Sequence, residues 1–358
     1  MSPGHNPYGI EPAEPTLAHN LLPCPKKKTS EESEGVPNSS PPQPSSAWNL
    51  QDDIDNGFHA HSNGVFRYGT VIGFSRLRNN NNETNTDEFI GNLPRALITA
   101  HLSRPPPSSP RVYIIHPANC DAFSPQKLLS SLLLSSASRD NTHPLRRDEA
   151  ISRLDSVQLL PVFDFPAAAQ AVSEVSDIIS PPPLLPQPRQ RHEEHSVLVV
   201  VVGLDALAEG VVRASNTARG AAVLTTVLRS LTQLARAHAP WLSVMLVNTN
   251  GVGAVGSEMG VNRGQSQSQT QTQIQTQQAA ASYGGEDGRL RAAGGEEIHS
   301  AFRASDVSLF PSLLMRTMDY GIDTHVLLSK VHGTGAVEVV KDRVGDGVGK
   351  WAIWEGKG

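Results

Sequence analysis

Residues 196–202, SVLVVVV, form an aliphatic run without alternating polar positions. Strands of this kind are buried on both faces, as in parallel sheets. A second run, LSVMLVNT at 242–249, has the same character. Between them, apolar residues recur every three or four positions over 217–239, which places one apolar stripe along a helix. This strand–helix–strand unit predicts a sheet packed against helices.

The rest of the chain continues the alternation. On the N-terminal side we predict strands at 70–74, 111–116 and 156–165, and helices at 92–102, 124–134 and 166–179. Three C-terminal strands, joined by HGTG and VGDGVG, are predicted at 324–331, 336–343 and 350–354. Glycine-rich links of this length are typical of antiparallel hairpins. The predicted fold class is therefore α/β, with a mostly parallel sheet, helices on both faces and C-terminal antiparallel hairpins.

Composition predicts that part of the chain does not pack. Glycine and proline contribute 29 and 27 of the 358 residues, and aromatic residues make up 5%. Segments with few side chains to bury cannot offset the entropy cost of ordering. We predict a disordered N-terminal tail at 1–62 and one core domain at 63–358. The core is interrupted by a disordered connector at 181–195 and a low-complexity insert at 252–299.

Charge and cysteine content exclude several classes of protein. The formal charge is −5, whereas an autonomous DNA-binding domain is expected to be strongly basic. Two cysteines, Cys24 and Cys120, are too few for a disulfide scaffold or a four-cysteine zinc site. The sequence shows neither a signal peptide pattern nor an apolar run approaching the roughly 18 residues of a membrane span. We therefore expect an intracellular protein without a membrane partner.

Several stretches resemble the ATPase core of RecA-like recombinases, specifically the eukaryotic recombination paralogues, in a degenerate, fungal-type form. VLVVVVGLDALAE resembles the Walker B strand, and SVMLVNTNG resembles the strand that leads into the second DNA-facing loop. The matching stretches are 111–129, 197–209, 219–238, 243–251, 308–330 and 337–354. Together they span most of residues 65–358, and the resemblance implies a RecA-like domain.

The phosphate-binding motif of this family is missing. A phosphate loop needs GxxxxGK[ST], whose amides and lysine hold the phosphates. Here the first strand runs into SRLRNNNNETNTDEFIG (75–91), which has no lysine and carries Asp87 and Glu88. Arg76 and Arg78 are candidates for a phosphate contact. The alternative is that both are solvated arginines in a variable loop.

The other two catalytic parts are also altered. Asp205 in GLDAL is a candidate metal ligand, displaced by two or three residues from the expected position, and its alternative role is to cap the next helix. The water-activating glutamate has no counterpart, because Cys120 falls near its position and Asp121 is adjacent. These losses predict no catalytic residue, no metal and no cofactor. The resemblance alone would imply ATP.

Two short patterns suggest regulation. Lys26, Lys27 and Lys28 form a candidate nuclear import signal, whose alternative is a solvated basic run. The strip QSQSQTQTQIQTQ (265–277) repeats the Ser/Thr-Gln acceptor pattern of DNA-damage kinases, or is an expanded glutamine tract. Its candidate phosphorylation sites are Ser266, Ser268, Thr270, Thr272 and Thr276.

The resemblance implies a function through assembly. The insert lies where the family grips DNA, but its few arginines are outnumbered by acids, so we expect weak or indirect contact with single-stranded DNA. The implied protein is a non-catalytic nuclear subunit of a recombination and repair complex, with RecA-like paralogues and the recombinase as partners. One alternative is an Elongator-type scaffold subunit in tRNA modification. Another is an ATPase whose rearranged site uses Arg76 or Arg78 with Asp205.

Overall fold

The computed structural model describes residues 48–58, 64–78, 86–104, 110–139, 145–180, 196–253, 298–302, 308–331 and 333–354. The strands are β1 (Val71–Leu77), β2 (Arg111–Pro117), β3 (Val157–Val162), β4 (Val197–Val202), β5 (Leu242–Val252), β6 (Thr324–Val331), β7 (Thr334–Asp342) and β8 (Trp351–Trp354). The helices are α1 (Leu50–Asn56), α2 (Thr86–Leu102), α3 (Pro125–Arg139), α4 (Arg147–Leu154), α5 (Phe165–Ile179), α6 (Leu204–Ala214), α7 (Thr217–Ala237) and α8 (Leu313–Tyr320).

The eight strands form one sheet in the order β3-β2-β4-β5-β1-β6-β7-β8. The first six strands are parallel, and β7 and β8 close the sheet as antiparallel neighbours. β4 lies inside the sheet between β2 and β5, and all six of its residues are buried. The predicted fold class is confirmed in its architecture: an α/β fold with a mostly parallel sheet and C-terminal antiparallel strands.

Helices cover both faces of the sheet. Successive residues of a strand point to opposite faces, so they pack into two different hydrophobic cores. Leu198 and Val200 belong to the core formed with α1 to α4. Val197, Val199 and Val201 belong to the core formed with α5 to α8. This two-sided burial explains why the β4 sequence has no polar alternation.

Some helix predictions were incomplete. The helix predicted at 92–102 begins at Thr86, so Pro94 lies inside it rather than near its start. Proline lacks an amide hydrogen and normally marks the first turn, which led the prediction to start too late. α4, α6 and α8 were not predicted as separate helices. They are short, with 8, 11 and 8 residues, so their periodicity is hard to read.

The chain enters the core earlier than residue 63. α1 lies within the predicted disordered tail, and Leu50, Ile54 and Phe58 are at most 3% exposed. Asp53 fixes this helix, because its carboxylate accepts from Trp48 Nε1 at 2.7 Å and from the amide of Val65 at 3.1 Å. The remainder of the tail, the connector and most of the insert lie outside the described residues.

We predict that deletion of residues 1–47 leaves the free energy of unfolding unchanged, whereas deletion of residues 1–62 lowers it by several kcal/mol. Each fully buried large apolar side chain contributes about 1.5–3 kcal/mol, and the longer deletion removes three of them. Denaturant unfolding of the two truncated chains measures the difference. Equal stability of the two would show that α1 is not part of the core.

His101, near the end of α2, is a buried titratable group in this core. It is 0% exposed, its ring meets Phe58 edge-on, and neither ring nitrogen has a hydrogen bond of normal geometry. Burial, helped by the charge of Arg104, lowers the pKa of His101 to about 3. The folded chain therefore does not take up the proton that the unfolded chain binds below about pH 6.5.

We predict that His101 makes the fold less stable as the pH falls from about 6.5 towards 3. Its contribution reduces the free energy of unfolding by about 2 kcal/mol between pH 7 and pH 5. The substitution His101→Phe should remove this part of the pH dependence, as measured by denaturant unfolding at the two pH values. An unchanged pH dependence in the variant would contradict the assignment.

Candidate functional site

The carboxyl edge of the parallel strands is where open α/β folds bind ligands. In this protein the edge is formed where β1, β4 and β5 end and where α2 and α6 begin. Of the candidates from the sequence, Asp121 lies in one cluster of polar contacts at this edge, and Arg78 and Asp205 lie in another.

The first cluster lies at the start of α2 and consists of Glu88, Arg95, Asp121 and Lys127, here called the α2 ion cluster. Glu88 pairs with Arg95, and its other carboxylate oxygen accepts from Lys127 Nζ at 2.6 Å. Lys127 also pairs with Asp121 at 3.0 Å, and Arg95 donates to the carbonyl of Ala122 at 2.7 Å. The cations of the cluster are therefore already bound to carboxylates of the chain.

Electrostatics favours the charged form of this cluster. Burial acts to raise the pKa of Glu88, but Lys127 and Arg95 outweigh it and hold that pKa below its ordinary value. The hydrogen bond from Lys127 lowers the pKa of Asp121, and bonds to Glu88 and Asp121 raise the pKa of Lys127. A phosphate group at this place would have to displace a carboxylate from its cation, next to a helix start that carries negative charge.

The second cluster surrounds Asn250 at the end of β5 and is here called the Asn250 clamp. Asp205 accepts from the backbone amide of Thr249 at 3.1 Å and from that of Asn250 at 2.7 Å. The Asn250 side-chain amide donates to Glu209 at 2.9 Å, and the Asn250 carbonyl accepts from Arg78 Nε at 2.7 Å. The clamp fastens the start of α6 and the end of β1 to β5.

The structure corrects the predicted capping role of Asp205. The residue before α6 is Gly203, in the left-handed conformation with φ of 67°, and Asp205 lies inside the first turn. Its carboxylate reaches across to the amides of Thr249 and Asn250 in β5. Burial raises the pKa of Asp205, and bonds from backbone amides partly oppose this.

Arg78 is not a solvated loop residue. Besides the Nε bond, its backbone amide donates to Val252 at 2.9 Å, which extends the pairing of β1 with β5. Gly251, with φ of 71°, allows this approach, because a Cβ atom there would lie 2.9 Å from the carbonyl oxygen of Arg76. Arg76 is part of β1 and lies opposite Leu328 of β6.

Cys120 and Asp121, which the sequence analysis placed near the expected water-activating acid, have different surroundings. Cys120 is half-buried in the turn after β2, where it packs against the core of α1 to α4. Asp121 is mostly exposed and belongs to the α2 ion cluster. Within the described residues, no three His, Cys, Asp or Glu side chains are grouped so that they could hold a metal ion.

Sequence reasoning missed a buried chain of polar groups beneath the Asn250 clamp. The Asn248 amide donates to Ser75 Oγ at 2.7 Å, and Ser75 Oγ lies 2.8 Å from His325 Nε2. His325 Nδ1 lies 3.0 Å from Asp319, which also pairs with Lys341 at 2.8 Å. The members come from β1, β5, α8, β6 and β7, so no local motif could reveal them. Polar residues inside apolar strands were the available signal.

The remaining predicted sites lie outside the described residues. These are the candidate import signal and the candidate phosphorylation sites: Lys26, Lys27, Lys28, Ser266, Ser268, Thr270, Thr272 and Thr276. Among the helices that the structure does describe, none has the length and apolar character needed to cross a membrane.

Comparison with known proteins finds similarity to a solved structure but not to a protein family or a curated protein. No protein-family model matches the chain, and no curated protein matches it. Among solved structures, the crystal structure of the RadB recombinase aligns with 80% of this chain and 86% of that chain. The aligned residues are 13% identical, and the TM-score is 0.42.

We predict that Asp205→Ala lowers the free energy of unfolding by about 2 kcal/mol or more, because it leaves two backbone amides without their acceptor. Asp205→Asn keeps one acceptor oxygen and should lose less. Denaturant unfolding measures both, with Glu209→Gln on the same helix as a control for a side-chain contact nearer the surface. Wild-type stability of Asp205→Ala would contradict a structural role.

Proposed function

We propose that this protein is a non-catalytic, RecA-like subunit of a DNA recombination or repair complex. The proposal combines the sequence resemblance with the confirmed fold class. The observation that carries it is the α2 ion cluster, in which the cations near the start of α2 are paired with carboxylates of the chain. Under this proposal, the protein retains the α/β fold but does not bind or hydrolyse a nucleotide.

The sequence between β1 and α2 supports the loss of nucleotide binding. Residues 79–85 read NNNNETN and contain neither lysine nor arginine. A triphosphate needs clustered donors and a cation at this turn. Asp205 is the other candidate for a nucleotide site, and its two carboxylate oxygens accept hydrogen bonds from the amides of Thr249 and Asn250.

Exposed apolar side chains at the two sheet edges support an assembly role. Phe163, directly after edge strand β3, is 85% exposed. On the opposite edge, Trp351 and Ile353 of β8 are 51% and 62% exposed. Large apolar groups exposed beside open strand edges are typical of surfaces that bind another protein. We propose that other RecA-like subunits cover these edges.

We predict that the purified full-length protein does not bind ATP in the micromolar range, with or without Mg²⁺, because its cations at the β1–α2 junction are already paired. Isothermal titration calorimetry measures this directly. Saturable binding that requires Mg²⁺ would contradict the proposal. If such binding were abolished by Arg78→Ala, it would favour an ATPase with a rearranged site.

We predict that Phe163→Ser or Ile353→Ser reduces co-purification with RecA-like partners from the native cell, because each removes apolar contact area at a sheet edge. The control is Tyr320→Ser, which changes a residue that is 72% exposed at the end of α8, outside both edge strands. Quantitative mass spectrometry of affinity-purified variants measures the loss. Capture of tRNA-modification subunits instead would favour the Elongator-type alternative, and an unaltered partner set would exclude both edges.

A further inference from the structure

The strand β8 ends the sheet, and its outer side has no neighbouring strand among the described residues. Edge strands are normally protected from pairing with another chain by charged residues, proline or bulges. The four residues of β8, WAIW, include neither a charged residue nor a proline. The opposite edge strand, β3, contains Pro161, which lacks the amide hydrogen that a further strand would need. Of the two edges, β8 is therefore the one open to another strand.

The hydrogen bonds to β7 show which backbone groups of β8 face outwards. The amide of Val339 in β7 donates to the carbonyl of Lys350 at 2.9 Å. Bonding alternates along an antiparallel pair of strands, so Ala352 also bonds to β7. The amides and carbonyls of Trp351 and Ile353 then point to the open edge.

The same two residues carry exposed apolar side chains. Trp351 and Ile353 share one face of β8, because they are two positions apart, and they are 51% and 62% exposed. Ala352 and Trp354 lie on the other face, where they pack against the core formed with α1 to α4. A strand added to this edge would bond the outward backbone groups and remove the two exposed side chains from water.

The strand β8 is complementary to a second copy of itself. In antiparallel pairing about a two-fold axis, Trp351 of each copy lies opposite Ile353 of the other, and the two Ala352 residues meet at the axis. Both opposed pairs are hydrogen-bonded pairs, each of which exchanges two N–H···O bonds. An aromatic residue opposite a β-branched residue is also a favourable cross-strand pair. This register therefore uses every outward-facing backbone group of β8.

We propose that two copies of this chain pair antiparallel through β8 and form one continuous sheet across the dimer. Since β8 has only four residues, the contact is smaller than the roughly 1,200–2,000 Å² of stable interfaces, and we expect a reversible dimer. This inference rests on the proposed function in one respect, because it identifies the subunit that covers the β8 edge.

Sedimentation equilibrium of the purified full-length protein measures this association without any other subunit present. We expect a monomer–dimer equilibrium with a Kd of about 1–100 µM. Ile353→Lys should weaken it by about tenfold or more, because it places a charge opposite Trp351 of the other copy. Phe163→Lys is the control, since Phe163 is 85% exposed beside the opposite edge strand, and it should leave the Kd unchanged. A protein that stays monomeric at about 500 µM, or equal weakening by both variants, would overturn the proposal.

Cysteine cross-linking tests the register. In a chain that carries Cys24→Ser and Cys120→Ser, Ala352→Cys should form an intermolecular disulfide under mild oxidation. Opposed residues of a non-hydrogen-bonded pair have Cα atoms about 4.5 Å apart, which is within the range of a disulfide. Ile353→Cys is the control, because position 353 is more exposed but is displaced by two residues from its equivalent in the other copy. Cross-linking through Ile353→Cys that exceeds cross-linking through Ala352→Cys would overturn the proposed pairing.

Failure of the β8 dimer and failure of the proposed subunit role give different results. A monomeric purified protein that still co-purifies with other RecA-like subunits would overturn the β8 dimer and leave the proposed function standing. A dimer that captures no other RecA-like subunit from the native cell would support the β8 pairing and contradict the proposed function.

Discussion

The hydrogen bonds that the amides of Thr249 and Asn250 donate to Asp205 hold together the carboxyl edge of this sheet. They join the turn after β4 to the end of β5, and Arg78 joins the end of β1 to the same point. The Asp205 carboxylate is an acceptor for backbone groups at this edge. Since backbone amides need partners wherever water is scarce, this use of the carboxylate stabilises the edge.

Ionic and hydrogen-bonded contacts divide the edge into two regions. On the face of α2, four charged side chains neutralise one another in the α2 ion cluster. On the face of α6 and α8, Arg78, Asp205 and Glu209 are engaged by the backbone and side chain of Asn250. In both regions the charged side chains are engaged by partners within the chain.

Much of the fold could be predicted because its signals are local. Runs of β-branched residues in β4 and β5 and the apolar stripe of α7 identify these elements directly. The sequence named Arg78 and Asp205 as candidates, but their contacts could not be predicted, because the bonds of the site join residues far apart in sequence: Ser75 meets His325, and Asp205 meets Asn250. α1 was missed for a different reason. Average composition hides three well-placed apolar residues within a polar segment.

The most direct test of this account is the carboxyl ¹³C resonance of Asp205, followed by NMR as the pH is changed. The account predicts a pKa above the ordinary value of 3.8, because the carboxylate is buried at the strand ends. It also predicts that the resonance does not move when Mg²⁺ and ATP are added together. An ordinary pKa, combined with a shift of the resonance on addition of Mg²⁺ and ATP, would show that Asp205 is a metal-binding acid and would contradict the account.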